Sequence, residues 1–288
     1  MSDKSAFPLR LPPHLVARAV AAALQEDLGA AGDITTDSIV PLEAQGEAAI
    51  VARQTGVVAG LDLAEAAFRE LDPDVRFERV VEDGGKVAAG GTIAQISGRT
   101  RALLTAERTA LNFLGRLSGI ATLTAAFVRA VDGTGARIAC TRKTTPGLRA
   151  LEKEAVRAGG GINHRFGLYD AVLVKDNHIA AAGGIAKALE RLGARKGHAV
   201  KVEVEVDSLE QLEEALRFPI DAVLLDNMDA ATLKQAVKLV AGRVMTEASG
   251  GVTLENVREI ASTGVELISV GALTHSPQNL DSSLEWAS

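Results

Sequence analysis

The chain is poor in cysteine, in aromatic residues and in long apolar runs. A single cysteine, Cys140, stands among 288 residues. It excludes an intrachain disulfide and any cysteine-rich metal site, and its apolar neighbours predict a buried thiol. Aromatic residues make up 3%. The core is therefore aliphatic, and no stacking surface for nucleic acid is visible. A formal net charge of −6 argues against long-range attraction to nucleic acid or to anionic lipid. No apolar stretch in the sequence reads as a membrane span, and the start MSDKSAFPLRLPPH lacks a hydrophobic run of signal-peptide length. A cytoplasmic globular protein is the expectation.

Against this acidic background one stretch is locally basic. Residues 137–179 contain Arg142, Lys143, Arg149, Lys153, Arg157, His164, Arg165, Lys175 and His178. Two short apolar runs, at 138–140 and 171–174, read as buried strands. The first leads into Thr141-Arg142-Lys143 and the second into Lys175. Charged groups at the C-terminal ends of buried strands are typical of α/β active sites.

Before this stretch the pattern is mixed. Helices are predicted at 15–28 and 61–71, with a loop over 29–37 between them. Residues 48–52 and 57–60 are strand-like, and 75–98 reads as strands joined by glycine turns, with Glu82 and Asp83 solvated in a turn. A long helix follows over 103–131, breaking near Ser118-Gly119, with Leu104, Leu111, Leu114 and Leu117 as its buried stripe and Arg108 beside it.

From Arg137 onward, six apolar runs alternate with helical stretches. The runs lie at 138–140, 171–174, 202–206, 222–225, 244–248 and 267–270, and the helices at 148–158, 183–192, 208–217, 229–241 and 253–262. This alternation implies βαβ units and a parallel sheet, and the number of repeats favours a closed or nearly closed barrel over an open sheet. The domain boundary is expected near residue 115: an N-terminal α/β domain over 1–115, a barrel over 116–274, and a tail over 275–288 packing on the first domain.

The strand ends supply the chemistry. Arg142, Lys143, Arg165 and Lys175 are cations whose convergence demands a ligand with at least two negative groups. A guanidinium grips a carboxylate through two parallel hydrogen bonds, which an ammonium cannot do. Arg149, Lys153 and Arg157 lie at helical spacing and read as surface decoration paired with Glu152 and Glu154. Glu203 and Glu205 share a face of their strand. Glu205 and Asp226 end neighbouring strands, where they suit Mg²⁺ beside phosphates, or else a salt bridge to Lys175 or Lys201. Ser249-Gly250-Gly251 and Gly271-Ala272 are small-residue turns able to cradle phosphate with backbone N–H groups. No dinucleotide or P-loop fingerprint is present, and His164 and His178 are too isolated in sequence to suggest zinc.

The segments TRKTTPGLR (141–149), GGGINHRFGLYD (159–170), KDNHI (175–179), VEVEV (202–206), LLDNM (224–228), EASGG (247–251) and ISVGALTHS (268–276) together resemble the quinolinate phosphoribosyltransferase family. ER at 107–108, LSGIAT at 117–122 and, more loosely, GDITT at 32–36 fit as well. The resemblance implies an N-terminal α/β sandwich domain followed by an incomplete, seven-stranded α/β barrel, working as a homodimer. It implies Mg²⁺-dependent transfer of a phosphoribosyl group from phosphoribosyl pyrophosphate to quinolinate with decarboxylation, giving nicotinate mononucleotide, pyrophosphate and CO₂ for NAD biosynthesis. Carried over by motif, Arg142, His164, Arg165 and Lys175 hold the quinolinate carboxylates. Thr141 belongs to the same substrate-binding stretch, and Lys143 touches substrate and phosphates. Glu205 and Asp226 take the ribose hydroxyls and Mg²⁺, Ser249, Gly250, Gly251, Gly271 and Ala272 take phosphate, and Arg108 enters the neighbouring subunit's pocket. A nicotinate-specific enzyme needs fewer cations, and a non-catalytic anion binder leaves Glu205 and Asp226 without a reason.

Overall fold

The computed structural model describes residues 11–287; the first ten residues of the expected N-terminal domain and Ser288 lie outside the described residues. In chain order the helices and strands are α1 (Pro13–Leu28), α2 (Ile34–Ile39), β1 (Gln45–Ala52), β2 (Gly56–Val57), α3 (Leu61–Leu71), β3 (Arg76–Arg79), β4 (Lys86–Val87), β5 (Thr92–Arg99), α4 (Thr100–Ala130), β6 (Arg137–Ala139), α5 (Arg149–Ala158), β7 (Val172–Val174), α6 (Asp176–Ala182), α7 (Ile185–Gly193), β8 (Val202–Val206), α8 (Leu209–Ala215), β9 (Ala222–Asp226), α9 (Ala230–Val240), β10 (Met245–Ser249), α10 (Val257–Ala261), β11 (Leu267–Ser269), α11 (Ala272–His275) and β12 (Ser282–Trp286). They form two compact units. The first takes the chain up to Ala125, together with Thr144–Gly160 and the tail from Leu273; the second takes Ala126–Lys143 and Gly161–Ala272.

The first unit is built on an antiparallel sheet of order β12-β1-β5-β3, so the C-terminal strand is an edge strand beside β1. Alternation in β1 turns Ala48, Ile50 and Ala52 inward. Phe68 of α3 is wholly buried, worth roughly 1.5–3 kcal/mol of hydrophobic transfer. Two expectations about this unit's loops are corrected. The stretch expected to loop over 29–37 contains α2, because Asp33 caps it by accepting the Thr36 N–H at 2.9 Å. In the turn after β3, Glu82 is exposed as expected, but Asp83 is drawn inward to accept the Leu61 N–H at 3.2 Å. Burial, its largest influence, pushes the Asp83 carboxyl up to about 6.

Helix α4 runs unbroken through Ser118-Gly119. Gly119 serves close approach: a Cβ there would lie 2.1 Å from the Gln278 carbonyl oxygen. Ser118 is equally committed, its Oγ accepting the Ala59 N–H at 2.9 Å. The buried stripe passes through Leu103, fully buried, with Leu104 only half-buried. By length and composition α4 could cross a membrane, contrary to the reading of the bare sequence. Just over half of its apolar stretch is nonetheless buried in the fold, as in the core helix of a globular protein.

The second unit is a six-stranded parallel sheet of order β6-β11-β10-β9-β8-β7. The seventh strand of the expected barrel is reduced to one residue. Ile162 makes an isolated parallel bridge to Ala139 and exchanges backbone bonds with Ile138 and Cys140 at 2.9 and 3.1 Å. The barrel is not closed: β7 pairs only with β8. Register explains what each strand presents. Glu203 pairs with Ala222, Glu205 with Leu224, Glu247 with Leu224 and Ser249 with Asp226. Paired residues on neighbouring parallel strands share a face. Glu203, Glu205, Asp226, Glu247 and Ser249 therefore line one side of the sheet. The other side carries the buried Val202, Val204, Val206, Val223 and Leu225, and helices α8, α9 and α10 contact their adjoining strands.

Candidate active site

The C-terminal ends of the second unit's strands collect most of the residues that the sequence singles out. Arg142 follows β6 and Arg165 follows the Ile162 bridge. Burial first, and the neighbouring Arg142 guanidinium second, push Arg165 below the ordinary arginine range. Two guanidiniums are thus brought together although 23 positions separate their loops' Cys140 and Asn163, which are joined by a thiol hydrogen bond of 3.2 Å. Cys140 is buried, as expected. Arg165 donates from Nη1 to the Ala171 carbonyl at 3.1 Å, and its buried Nε has no partner among the described residues. Lys143 is exposed, with its backbone N–H held by Thr141 Oγ1 at 3.0 Å.

Lys175 directly follows β7 and its ammonium bonds Glu205 of β8. The salt-bridge alternative at Glu205 is therefore realised with Lys175, while Lys201 pairs with Asp221 at 2.7 Å. The residues after Lys175 form α6, which the apolar pattern did not reveal. His178 belongs to its first turn, and His178 Nδ1 accepts the Lys175 N–H at 3.0 Å.

His164 is not isolated in space. Its Nδ1 accepts the Arg165 N–H at 2.8 Å, which leaves the ring proton on Nε2. Nε2 lies 2.9 Å from Glu203 Oε2 and 3.7 Å from Glu247 Oε1. Both ring nitrogens are engaged within the protein. These three side chains present ligand atoms within 4.8 Å of one another. With its proton on Nε2 the imidazole donates to Glu203 and has no lone pair there for a cation, and a proton shared by the two acids satisfies the geometry. Glu203 Oε1 and Glu247 Oε1 are buried without a hydrogen-bond partner among the described residues. Burial, then the charge of Glu203, push the Glu247 carboxyl up to about 7. Glu247 escapes sequence reasoning because only the register aligns it with β9 and brings it to a histidine far away in the chain.

Asp226 ends β9, half-buried. Its Oδ2 accepts a bond from Asn227 Nδ2 at 2.6 Å. After β10, Gly250 and Gly251 both have positive φ, 94° and 59°. Gly271 follows β11 and Ala272 opens α11. As donors, Glu205 and Asp226 are hard oxygen ligands on one face of adjacent strands, a set that fits a hydrated Mg²⁺.

Of the expected site residues, Arg108 falls in the first unit. Arg108 is exposed on α4. Helix α5 is not merely decorated: Lys153 is 1% exposed, and Glu152 is wholly buried. Glu152 accepts from Arg116 Nη2 at 2.8 Å and from Thr145 N and Oγ1 at 3.0 and 2.7 Å. Only Arg157, 3.1 Å from Glu154, follows the expected surface pattern. Arg149 instead bonds Thr144 Oγ1 at 3.0 Å.

Taken together, paired guanidiniums, a lysine–glutamate link and glycine turns at parallel-strand ends define an α/β-barrel-type enzyme for a multiply anionic substrate. Residues 33–118 match the family model described as the N-terminal domain of quinolinate phosphoribosyl transferase, and residues 120–285 match its C-terminal domain. A Bacillus subtilis (strain 168) protein named as a probable nicotinate-nucleotide pyrophosphorylase (carboxylating) is 47% identical over 260 residues, covering 90% of this chain and 89% of its own. A Nicotiana glauca mitochondrial quinolinate phosphoribosyltransferase (decarboxylating) is 45% identical, covering 91% of this chain and 80% of its own. The crystal structure of NadC from Streptococcus pyogenes superposes with a TM-score of 0.93 at 40% identity, over 97% of this chain and 99% of that one. The chain belongs to the quinolinate phosphoribosyltransferase family.

Proposed function

We propose that this protein transfers a phosphoribosyl group from phosphoribosyl pyrophosphate to quinolinate and releases CO₂, yielding nicotinate mononucleotide and pyrophosphate for NAD biosynthesis. The observation that carries the reading is the pair of neighbouring guanidiniums, Arg142 and Arg165. Two like charges in a partly buried site are costly without an anion between them, and a pyridine dicarboxylate supplies two.

In this reading Arg142, Arg165 and Lys175 hold the two carboxylates, with Thr141 in the same stretch. His164 acts mainly through its ring contact to the Arg165 backbone, braced by Glu203. Lys143, Ser249, Gly250, Gly251, Gly271 and Ala272 hold phosphate oxygens. Glu205 and Asp226 take the ribose hydroxyls and, directly or through water, Mg²⁺. The metal supplies charge neutralisation for the departing pyrophosphate. The pyridine nitrogen bonds the anomeric carbon while the carbon–oxygen bond to pyrophosphate breaks, its electron pair leaving with pyrophosphate. Positive charge developing on the sugar is stabilised by Glu205 and Asp226. The 2-carboxylate then leaves as CO₂; the electron pair left on the ring carbon is stabilised by the adjacent cationic nitrogen until a proton adds. The protein works in this reading as a cytoplasmic homodimer, with Arg108 completing the partner's site.

The test mixes protein, Mg²⁺ and phosphoribosyl pyrophosphate with quinolinate or nicotinate, and follows CO₂ and mononucleotide. Quinolinate alone should yield both. Consumption of nicotinate, or no product with quinolinate, would sink the assignment.

A further inference from the structure

Asn227 is one of two non-glycine described residues with positive φ, at 53°, and it directly follows Asp226. Asparagine tolerates this left-handed conformation better than most residues, so the backbone requirement alone selects only loosely for it. Its other contacts are more specific. Its N–H donates to the Ser249 carbonyl at 2.9 Å, extending the β9–β10 pairing one residue beyond Asp226 and Ser249. Its Nδ2 donates to Asp226 Oδ2 at 2.6 Å. Its Oδ1 faces the bare Cα of Gly250 so closely that a Cβ there would lie 2.1 Å away.

One side chain therefore touches two parts of the site assigned above: the Asp226 carboxylate and the 249–251 turn. We infer that Asn227 is a positioning residue that locks Asp226 and the Ser249–Gly251 turn into one unit for phosphoribosyl pyrophosphate. By occupying Oδ2 it orients the carboxylate and leaves Oδ1 for the ligand. By filling the space beside Gly250 it sets the turn whose N–H groups meet phosphate. Glycine at 227 would keep the backbone but lose both contacts. Aspartate would keep the shape but set carboxylate against carboxylate. The inference rests on the assignment of Asp226 and the glycine turn to phosphoribosyl pyrophosphate.

The experiment compares wild type with Asn227→Gly and Asn227→Asp. It measures binding of Mg²⁺–phosphoribosyl pyrophosphate and, separately, of quinolinate by calorimetry, together with steady-state constants. Both variants should bind quinolinate within twofold of wild type. Both should weaken phosphoribosyl pyrophosphate binding and raise its KM at least tenfold, aspartate more than glycine. Gly250→Ala approaches the same contact from the opposite side and should give the same substrate-selective defect, which serves if a 227 variant fails to fold. Phosphoribosyl pyrophosphate constants within twofold of wild type, or equal losses for both substrates, would overturn the inference. Wild type that binds phosphoribosyl pyrophosphate but does not turn over quinolinate would sink only the proposed function, and loss of that binding in the variants would still support the role of Asn227. Wild type that does not bind phosphoribosyl pyrophosphate would overturn both.

Discussion

Arg165 is the residue on which quinolinate binding should depend most. Each charge-assisted bond it makes to a carboxylate is worth roughly 1.5–3 kcal/mol, and a bidentate grip makes two. Arg165→Ala should weaken quinolinate binding by about 100-fold or more, measured by calorimetry without phosphoribosyl pyrophosphate; a change below tenfold would remove Arg165 from the carboxylate set. Lys175→Ala should impair binding and turnover together, because it also strips Glu205 of its bonded cation; a variant that raises KM with kcat unchanged would limit Lys175 to binding. Glu247 allows a pH test. Its carboxyl is raised to about 7 from an ordinary 4.5. Between those values the folded protein holds a proton that the unfolded chain releases, so this group's contribution to stability falls as pH rises and levels off above 7. Glu247→Gln cannot ionise. Its stability relative to wild type should rise across that window and be greatest at pH 8, by about 1–3 kcal/mol in urea unfolding. Parallel stability–pH curves for the two proteins would contradict it.

The elements of the second unit were legible where apolar residues form short buried runs. β8 and β9 emerge almost residue for residue because Val202, Val204 and Val206 alternate with acids and Ala222–Leu225 is buried throughout. Helix α6 was not legible: DNHIAAA buries no residue and so carries no apolar stripe. The break expected in α4 failed because a glycine that admits a neighbouring carbonyl looks, in sequence, like one that ends a helix. Gly119→Ala should therefore be destabilising by several kcal/mol or force displacement of the 278–280 segment, unlike the stabilisation usual for glycine-to-alanine changes inside helices. Thermal melts of the variant decide between these outcomes. Asp72 joins α3 to β5. It is 2% exposed and accepts from Arg99 Nη2 at 2.9 Å, which, as the largest influence, holds its carboxyl near 2. This lowered value adds stability above the ordinary carboxylate range, and that stability is lost as pH falls toward 2. Asp72→Ala should cost about 2–3 kcal/mol at pH 7 and progressively less below pH 4; an equal loss at pH 7 and pH 3 would show that the ion pair is not its source.

For the whole molecule, the proposed homodimer makes a sharp prediction. If Arg108 acts in the partner's site and Arg165 in its own, Arg108→Ala and Arg165→Ala should each be nearly inactive. Mixed after subunit exchange, they should regain activity, because each heterodimer contains one intact site. No recovery in a mixture shown to exchange would place Arg108 outside the partner's site. Much of the candidate site was legible at this scale too. Residue type, burial pattern and position at strand ends pointed to Arg142, Arg165, Lys175, Glu205 and Asp226, because alternation along a strand is a local property. Which groups meet was a different matter. His164 and Glu203 are 39 positions apart, and Glu247 reaches them only through sheet register. Asn227 matters because a glycine on the next strand comes to its amide. A chain's pattern says which face a side chain takes, since that depends on its immediate neighbours. Partners, protonation and bracing depend on contacts made across strands, and those exist only once the sheet has folded.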